Sequence, residues 1–447
     1  MIVMKFGGTS VGSAERIEGV CRIVASYRQK NPLVVVSALS GITDQLLKAC
    51  HDVMAGVAPH RLADAIRERH ERVIHDLKLS SLDLTSYFRE LEDILRGIFY
   101  VGECTARTRD RMASFGERLS ARIVAAAMTA RGLPATAHDA GDAGLLTSSE
   151  FGHAKVSPES DELLKKMLGH TDTVSVVTGF IGKDMHGNIT TLGRGGSDFS
   201  AALIGAALDV EEIQIWTDVP GIMTADPRIV PEALVLPEVT FEEAAELAFF
   251  GAKILHPRTI EPAVRRNIPV VCKNSFAPEQ PGTAVIGHAK AEEGGVRAIT
   301  SKSGVTTLNI YSTRMMEAPG FLAEIFKILH AHDLSVDVIS TSEVNVSLTL
   351  DNNERLEEAL PELRRVAHVD TEGQRSIVCL VGAGIKDTPG VSGKVFSVLA
   401  REHINVEMIS QGASRINITF VVPDAARTAA VKALHEAFFA SGVLVGK

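Results

Sequence analysis

An ungapped repeat in the last third of this 447-residue chain constrains its fold more than any other feature. "PGFLAEIFKILHAHDLSVDVIS", from Pro319, matches "PGVSGKVFSVLAREHINVEMIS", from Pro389, in punctuation and in apolar spacing. Each copy opens on Pro-Gly, carries apolar residues at helical spacing, and ends in a β-branched run that reads as a strand. The register persists: "NVSLTL" from Asn345 faces "RINITF" from Arg415, and the helix-like "NERLEEALPELRRV" and "DAARTAAVKALHEAFF" follow. Two equivalent β-α-β-β-α units are therefore predicted. Two copies are too few for a solenoid, whose units bury their faces only by stacking. A paired regulatory or assembly module is the reading.

The N-terminal part is patterned differently. "IVMKF" and "NPLVVVSALSG" are short β-branched runs ended by Gly or Ser, and between them Ile17, Val20, Ile23 and Val24 recur at helical spacing. Strand, glycine turn, helix and strand predict a largely parallel sheet. From Thr43 to about Gly132 the sequence is helical and charged, as in "RLADAIRERHERVIHDL", the pattern of solvated helix faces. Strands return at "DTVSVVTGFIG", at "ITTLG" after a hairpin signal "HGN", at "EEIQIWTD" and at "IPVVCK". "SDFSAALIGAAL", "EEAAELAFFGAKILH" and "PRTIEPAVRRN" read as helices. "SFAPEQPGTAVIGHAKAEEGG", rich in Pro, Gly and small residues, places a domain boundary near Gly294.

Composition bounds the function. A net charge of -9 argues against non-specific nucleic-acid binding, which needs phosphate-neutralising Lys and Arg patches. Five scattered cysteines without a C-x-x-C pair argue against a disulfide framework or a structural zinc site. The N-terminus lacks signal-peptide regions and no apolar run is long enough for a bilayer, so a cytoplasmic location without membrane partners is expected.

Three motifs carry chemistry. In "KFGGTSVG" the glycines let backbone approach a phosphate and the following helix offers its N-terminal N–H groups, with Lys5 pointing an ammonium across the mouth. In "TTLGRGGSDFSAAL" a second Gly pair opens a second helix beside Arg194, Ser197 and Asp198; the two turns would face one crevice. Arg194 suits a bidentate clamp on carboxylate or phosphate, while Asp198 also reads as a helix cap. In "IWTDVPGIMTADPR", Thr217, Asp218, Asp226 and Arg228 form a turn suited to ribose and phosphates, or simply a well-formed surface loop.

Together and in this order, "KFGGTS", "SFGERLSA", "TTLGRGGSD", "WTDVPGIMTADPR" and "FGAKILHP" resemble the aspartate kinases, and the repeat resembles their C-terminal pair of ACT-type modules. The likeness spans essentially the whole chain and is closest to the single-function, lysine-sensitive bacterial type. Related amino-acid kinases share the glycine turns but open on a shorter K-x-G-G-S form and lack the C-terminal pair. The resemblance implies an amino-acid kinase fold, an α/β/α sandwich on a largely parallel sheet, over residues 1–294. Two α+β, ferredoxin-like ACT modules would follow at 295–374 and 375–447, either in succession or interleaved by a returning final strand. The implied reaction is phosphorylation of the L-aspartate β-carboxylate by ATP, with Mg²⁺ bound mainly through the nucleotide phosphates and no metal site of the protein's own. The product, 4-phospho-L-aspartate, enters lysine, threonine, methionine and diaminopimelate synthesis.

By the same resemblance, Lys5 reaches the transferring phosphoryl group and Asp198 orients it. Glu117 pairs with the aspartate α-ammonium, Arg194 clamps a carboxylate, and Ser37, Thr43 and Ser197 add contacts. Gly7, Gly8, Ser10, Thr217, Asp218, Met223, Asp226, Arg228 and Lys253 surround ATP. Lysine-sensitive bacterial members usually carry an aromatic residue at the position of Met223. The implied effector is lysine, at Met315, Ser335, Asp337, Thr341, Ser342 and Glu343, and at an interface that makes the protein a homodimer or, by pairing of dimers, a tetramer. The second copy carries Glu407 for Asp337 but "QGAS" for "TSEV", so it is expected to be structural. Two other readings stand beside this one. Another carboxylate kinase of the superfamily is disfavoured by Glu117 with Arg194, and a non-catalytic amino-acid sensor by the joint presence of Lys5, Arg194, Asp198 and Lys253.

Overall fold

The computed structural model describes residues 1–251, 255, 257–287, 295–316, 320–351, 353–412 and 416–439. Its two compact units are discontinuous in sequence. The first holds Met1–Ile222, Pro237–Phe241 and the described part of 254–288; the second holds Met223–Leu236 and the described parts of 242–253 and 289–447. Gly294, the expected boundary, lies outside the described residues.

In the first unit β1 (Ile2–Phe6) passes through the glycine turn into α1 (Ala14–Ser26), whose Arg16 N–H donates to the Ser13 hydroxyl at 3.3 Å. After β2 (Pro32–Val36) come four helices, α2 (Ile42–Met54), α3 (Pro59–Asp76), α4 (Thr85–Val101) and α5 (Ala106–Ala130). The charged stretch is thus helical, each helix burying an apolar stripe such as Phe88, Leu91, Leu95 and Ile98 on α4. Then follow β3 (Ala135–His138), β4 (Leu146–Thr147), α6 (Ser160–Leu168), β5 (Val174–Thr178), β6 (Ile181–Asp184), β7 (Ile189–Thr191), α7 (Gly196–Ala207) and β8 (Glu212–Thr217). β9 (Glu238–Thr240), α8 (Phe241–Phe249), α9 (Pro257–Arg265), β10 (Val270–Asn274) and β11 (Thr283–Ile286) come next; all of α8 but Phe241 belongs to the second unit.

Eight strands make one sheet in the order β3-β5-β2-β1-β8-β10-β11-β9. The first six run parallel and β11 turns antiparallel against β10. β1 lies between β2 and β8, so the chain leaves it to either side and the loops beyond the carboxyl ends diverge around a crevice. Alternation along β1 divides its side chains. Ile2, Met4 and Phe6 enter the helical core, where the Trp216 ring stacks on Phe6 at 5.8 Å, while Lys5 points to the other face and reaches Asp198 of α7.

Two runs break where the sequence reads as continuous. "DTVSVVTGFIG" is two strands, because Phe180 takes a φ of 67° and β6 joins a separate sheet, β4-β6-β7. There is no room to continue straight: a Cβ on Gly179 would meet the Ser197 Cβ at 2.7 Å. α8 stops at Phe249, two residues before Gly251, whose φ of 125° ends the helix.

The second unit contains β12 (Ala298–Tyr311), α10 (Phe321–Ala331), β13 (Val336–Thr341), β14 (Asn345–Leu350), α11 (Leu356–Val366), β15 (His368–Val381), α12 (Val391–Arg401), β16 (Met408–Ser410), β17 (Asn417–Pro423) and α13 (Asp424–Phe439). Its sheet runs β13-β14-β12-β15-β17-β16. β12 and β15 start 70 positions apart, as do α10 and α12, so the repeat includes two long strands that lie upstream of the Pro-Gly signals. β12 and β15 pair antiparallel from Ala298↔Val381 to Tyr311↔His368, relating the copies by a local two-fold. The carboxyl half of β12 pairs with β14, and that of β15 with β17. Each copy thus takes its fourth strand from the long strand of the other, and the copies interleave. The end of the chain, where a returning final strand would lie, falls outside the described residues. Two apolar cores result, one around Leu308, Ile325 and Leu348, the other around Val378, Val395 and Phe420.

One close approach in the first unit is testable. A Cβ on Gly116 of α5 would lie 2.6 Å from the Ala38 Cβ. Gly116→Ala gains about 1 kcal/mol of helix propensity, but overpacking a filled core costs about 1–3 kcal/mol. A lower melting temperature is expected, measured by thermal denaturation; a raised one would mean that the segment after β2 yields freely.

Candidate functional site

A cleft of about 890 Å³ opens beyond the carboxyl ends of β1, β2 and β8, with α5 and the first turn of α7 as walls. Backbone bonds tie its floor: the Gly7 N–H donates to Trp216 O and the Ser37 N–H to Phe6 O, both at 3.1 Å. The glycines of the first turn serve close approach, since a Cβ on Gly8 would stand 3.0 Å from Ala38 O and one on Gly7 3.7 Å from Lys5 Nζ. Lys5 Nζ lies 2.6 Å from Asp198 Oδ1, both side chains largely buried. At this depth the pair gains more from Coulomb attraction than a surface pair would.

The second glycine turn works through its backbone. Gly193 and Gly195 take φ values of 79° and 71°, and Arg194 between them is exposed, its guanidinium without a partner among the described residues. Opposite, α5 presents Glu117, which is 3% exposed. Its Oε1 accepts the Ala38 N–H at 3.1 Å, while its Oε2 is buried and has no partner among the described residues. Burial pushes this carboxyl up to about 8, against the opposing pull of the Ala38 N–H and the Lys5 charge. A buried carboxyl with one oxygen unsatisfied is prepared for a cationic ligand, whose charge would favour its ionised form.

The cleft therefore gathers Lys5, Gly7, Gly8 and Ser37 from the sheet edge with Thr43, Glu117, Arg194, Ser197 and Asp198 from helices and turns, and Thr217 and Asp218 from the end of β8. It does not gather Ser10. That hydroxyl is buried behind the turn, 2.8 Å from Ser275 Oγ and 3.4 Å from Trp216 O, and Thr9 lines the cleft instead. Met223, Asp226 and Arg228 belong to the second unit, where Met223 forms a bridge with Val235. Asp226 holds Arg228 at 2.6 Å and also accepts the Arg228 N–H at 2.9 Å; the guanidinium keeps the Asp226 carboxyl below its ordinary range. Lys253 lies outside the described residues.

Of the six residues assigned to an effector, Ser335 and Asp337 stand at the start of β13, and Thr341, Ser342 and Glu343 at its end. Met315 is half-buried in the turn after β12. Asp337 Oδ2 lies 3.2 Å from Lys302 Nζ, which also meets Asp351 at 2.7 Å; burial nevertheless raises the Asp337 carboxyl. In the second copy Glu407 faces Arg375 at 2.5 Å. Both acids are thus met by a cation from a long shared strand.

Sequence reading missed Thr9, Arg109, Asp110, His153 and Phe180, all of which line the cleft. Asp110 was findable, since it precedes Glu117 by seven residues and so shares its helix face. His153 and Phe180 lie on irregular turns without periodicity.

The class of the chain is that of the amino acid kinase family, whose model matches residues 1–274, with ACT domain models matching 308–365 and 378–438. The chain is 40% identical over 460 residues to aspartokinase 1, chloroplastic, of Arabidopsis thaliana, covering 99% of this chain and 81% of that one. It is 37% identical over 456 residues to lysine-sensitive aspartokinase 3 of Escherichia coli, covering 98% and 99%. The E. coli aspartokinase III structure with aspartate and ADP aligns at a TM-score of 0.80 and 36% identity, covering 98% and 100%. That enzyme with lysine and aspartate aligns at 0.78 and 36% identity, covering 98% and 99%. The chain belongs to the aspartokinase family.

Glu117 makes stability depend on pH. Its folded value of about 8 lies above the ordinary 4.5, so the fold keeps a proton that the unfolded chain releases. This contribution is complete below pH 4.5 and is lost as pH rises toward 8. Denaturant melts of the wild type and of Glu117→Gln across that range should show a falling stability that the variant flattens. An unchanged slope would mean that Glu117 is not the group responsible.

Proposed function

We propose that this chain transfers the γ-phosphoryl group of Mg-ATP to the β-carboxylate of L-aspartate, giving 4-phospho-L-aspartate. The observation that carries the reading is the Lys5–Asp198 pair set between two glycine turns, in one cleft with the unsatisfied Glu117 carboxyl. Family membership and the relative bound to aspartate and ADP support it.

The nucleophile needs no general base, because a carboxylate with a pKa of about 4 is already ionised at neutral pH. The difficulty is bringing two anions together. Lys5 neutralises charge that spreads over the phosphoryl oxygens in a loose transition state, and Asp198 fixes the ammonium's direction. Glu117 takes the α-ammonium, Arg194 a carboxylate, and Ser37, Thr43 and Ser197 the remaining polar contacts. Thr217 and Asp218 take the nucleotide from the end of β8, with Met223, Asp226, Arg228 and Lys253 from the segments that follow. Mg²⁺ arrives with the nucleotide phosphates.

Residues 1–294 form the catalytic part and 295–374 and 375–447 the two regulatory modules, a division supported by the spans of the family models. Lysine is the effector, as the lysine-sensitive relative and its lysine complex suggest. Asp337 lies within β13 and Glu343 in the turn that follows it. The chain acts as a homodimer, with pairing of dimers into tetramers as a further step. The setting is cytoplasmic amino-acid biosynthesis.

Aspartate-dependent ADP release, compared with glutamate, tests the reaction. Lys5→Ala should lower turnover by at least about a thousandfold while circular dichroism still reports a folded chain; an active variant would remove the role given to Lys5. Saturating lysine should suppress turnover, and Asp337→Ala should relieve that suppression. Equal turnover with and without lysine would return the second unit to assembly alone.

A further inference from the structure

We propose that Asp110 is a positioning residue for the aspartate-binding side of the cleft, holding the Arg194 turn at a fixed distance from Glu117. The proposal rests on the roles given above to Arg194 and Glu117. Asp110 is buried in the second turn of α5, two helical turns before Glu117 on the same face. Its Oδ2 accepts the N–H of Gly152 at 2.9 Å and that of Thr191 at 2.8 Å, and its Oδ1 accepts the Thr191 hydroxyl at 2.9 Å. One carboxylate on a rigid helix thus ties down two segments about forty residues apart in sequence.

Those segments also hold each other. The Ala154 N–H donates to Thr191 O at 2.9 Å, and a Cβ on Gly193 would meet His153 Nδ1 at 2.8 Å. Arg194, three residues after Thr191, sits between two glycines with positive φ, the residues least able to fix a backbone by themselves. With its guanidinium unpartnered among the described residues, Arg194 is held through its backbone neighbours: the Leu192 N–H donates to Phe180 O at 2.9 Å, and one residue further back Asp110 fixes Thr191 by both its N–H and its hydroxyl. Glu117 and Arg194 are then both referred to α5, one directly and the other through this carboxylate. Loss of the tether should blur the spacing of the groups that grip aspartate and leave the nucleotide side, at Thr217 and Asp218 on β8, untouched.

Steady-state kinetics of four variants test this. Asp110→Ala should raise KM for aspartate about tenfold and Thr191→Val about threefold, with KM for ATP within about twofold of wild type. Asp110→Asn should stay close to wild type, because its Oδ1 can still accept the N–H groups while the Thr191 hydroxyl rotates to accept from Nδ2. Arg194→Ala serves as the reference for losing the clamp itself. If Arg194→Ala raises KM for aspartate but neither Asp110→Ala nor Thr191→Val does, the positioning role is overturned and the Arg194 role stands. If Arg194→Ala leaves KM for aspartate unchanged, both fall. Equal increases in the two KM values would show general loosening and also overturn the proposal. Should Asp110→Ala not fold, Thr191→Val and Asp110→Asn carry the same comparison.

Discussion

Three contacts converge on Ala38, and the cleft depends on them. Its carbonyl is what a side chain on Gly8 would strike, its methyl is what a side chain on Gly116 would strike, and its N–H holds Glu117. The end of β2 is thereby pressed between the first glycine turn and helix α5. Without the two glycines the sheet edge and the helix would stand apart, and Glu117 would find water instead of a buried amide. Backbone proximity comes first here, and the electrostatics follow from it.

The charges in the cleft are arranged by depth. Lys5 and Asp198 face each other on the side of the sheet covered by α7, while Arg194 stands exposed at the rim. Glu117 is the most buried of the four, and its Oε2 has neither a hydrogen-bond nor an ion-pair partner among the described residues. A site for two anions must offer positive charge where they meet, yet this cleft also keeps a carboxyl in its wall. That makes sense for a zwitterionic substrate, whose ammonium end satisfies the acid while its anionic ends meet the cations.

Much of this was legible before any coordinates. Periodicity gave α1, the helical stretch from α2 to α5, and the repeated units of the second half, because each buries a regular apolar stripe. The glycine turns marked the sheet edge at which the cleft lies. What escaped reading lacked a period: the break at Phe180, the loop carrying His153, and the inward rotation of Ser10, which depends on Ser275, far along the chain. Arg228 was assigned to the nucleotide from sequence, but its neighbour two positions back already holds it. The interleaving of the repeats stayed one of two open alternatives in sequence for another reason. Long-range strand pairing leaves no local signature, and β12 lies upstream of the Pro-Gly signals that reveal the repeat.

The reciprocal strand exchange in the second unit also bears on how such a chain can change over generations. Tandem copies that fold independently can be lost, shuffled or transplanted one at a time. Here β12 and β15 each serve both copies, so a cut between the copies would strip a strand from each half-sheet and expose unpaired backbone along both new edges. The pair has become a single heritable piece. One copy is free to diverge in chemistry, as the "QGAS" of the second does from the "TSEV" of the first, while remaining indispensable as scaffold for its twin.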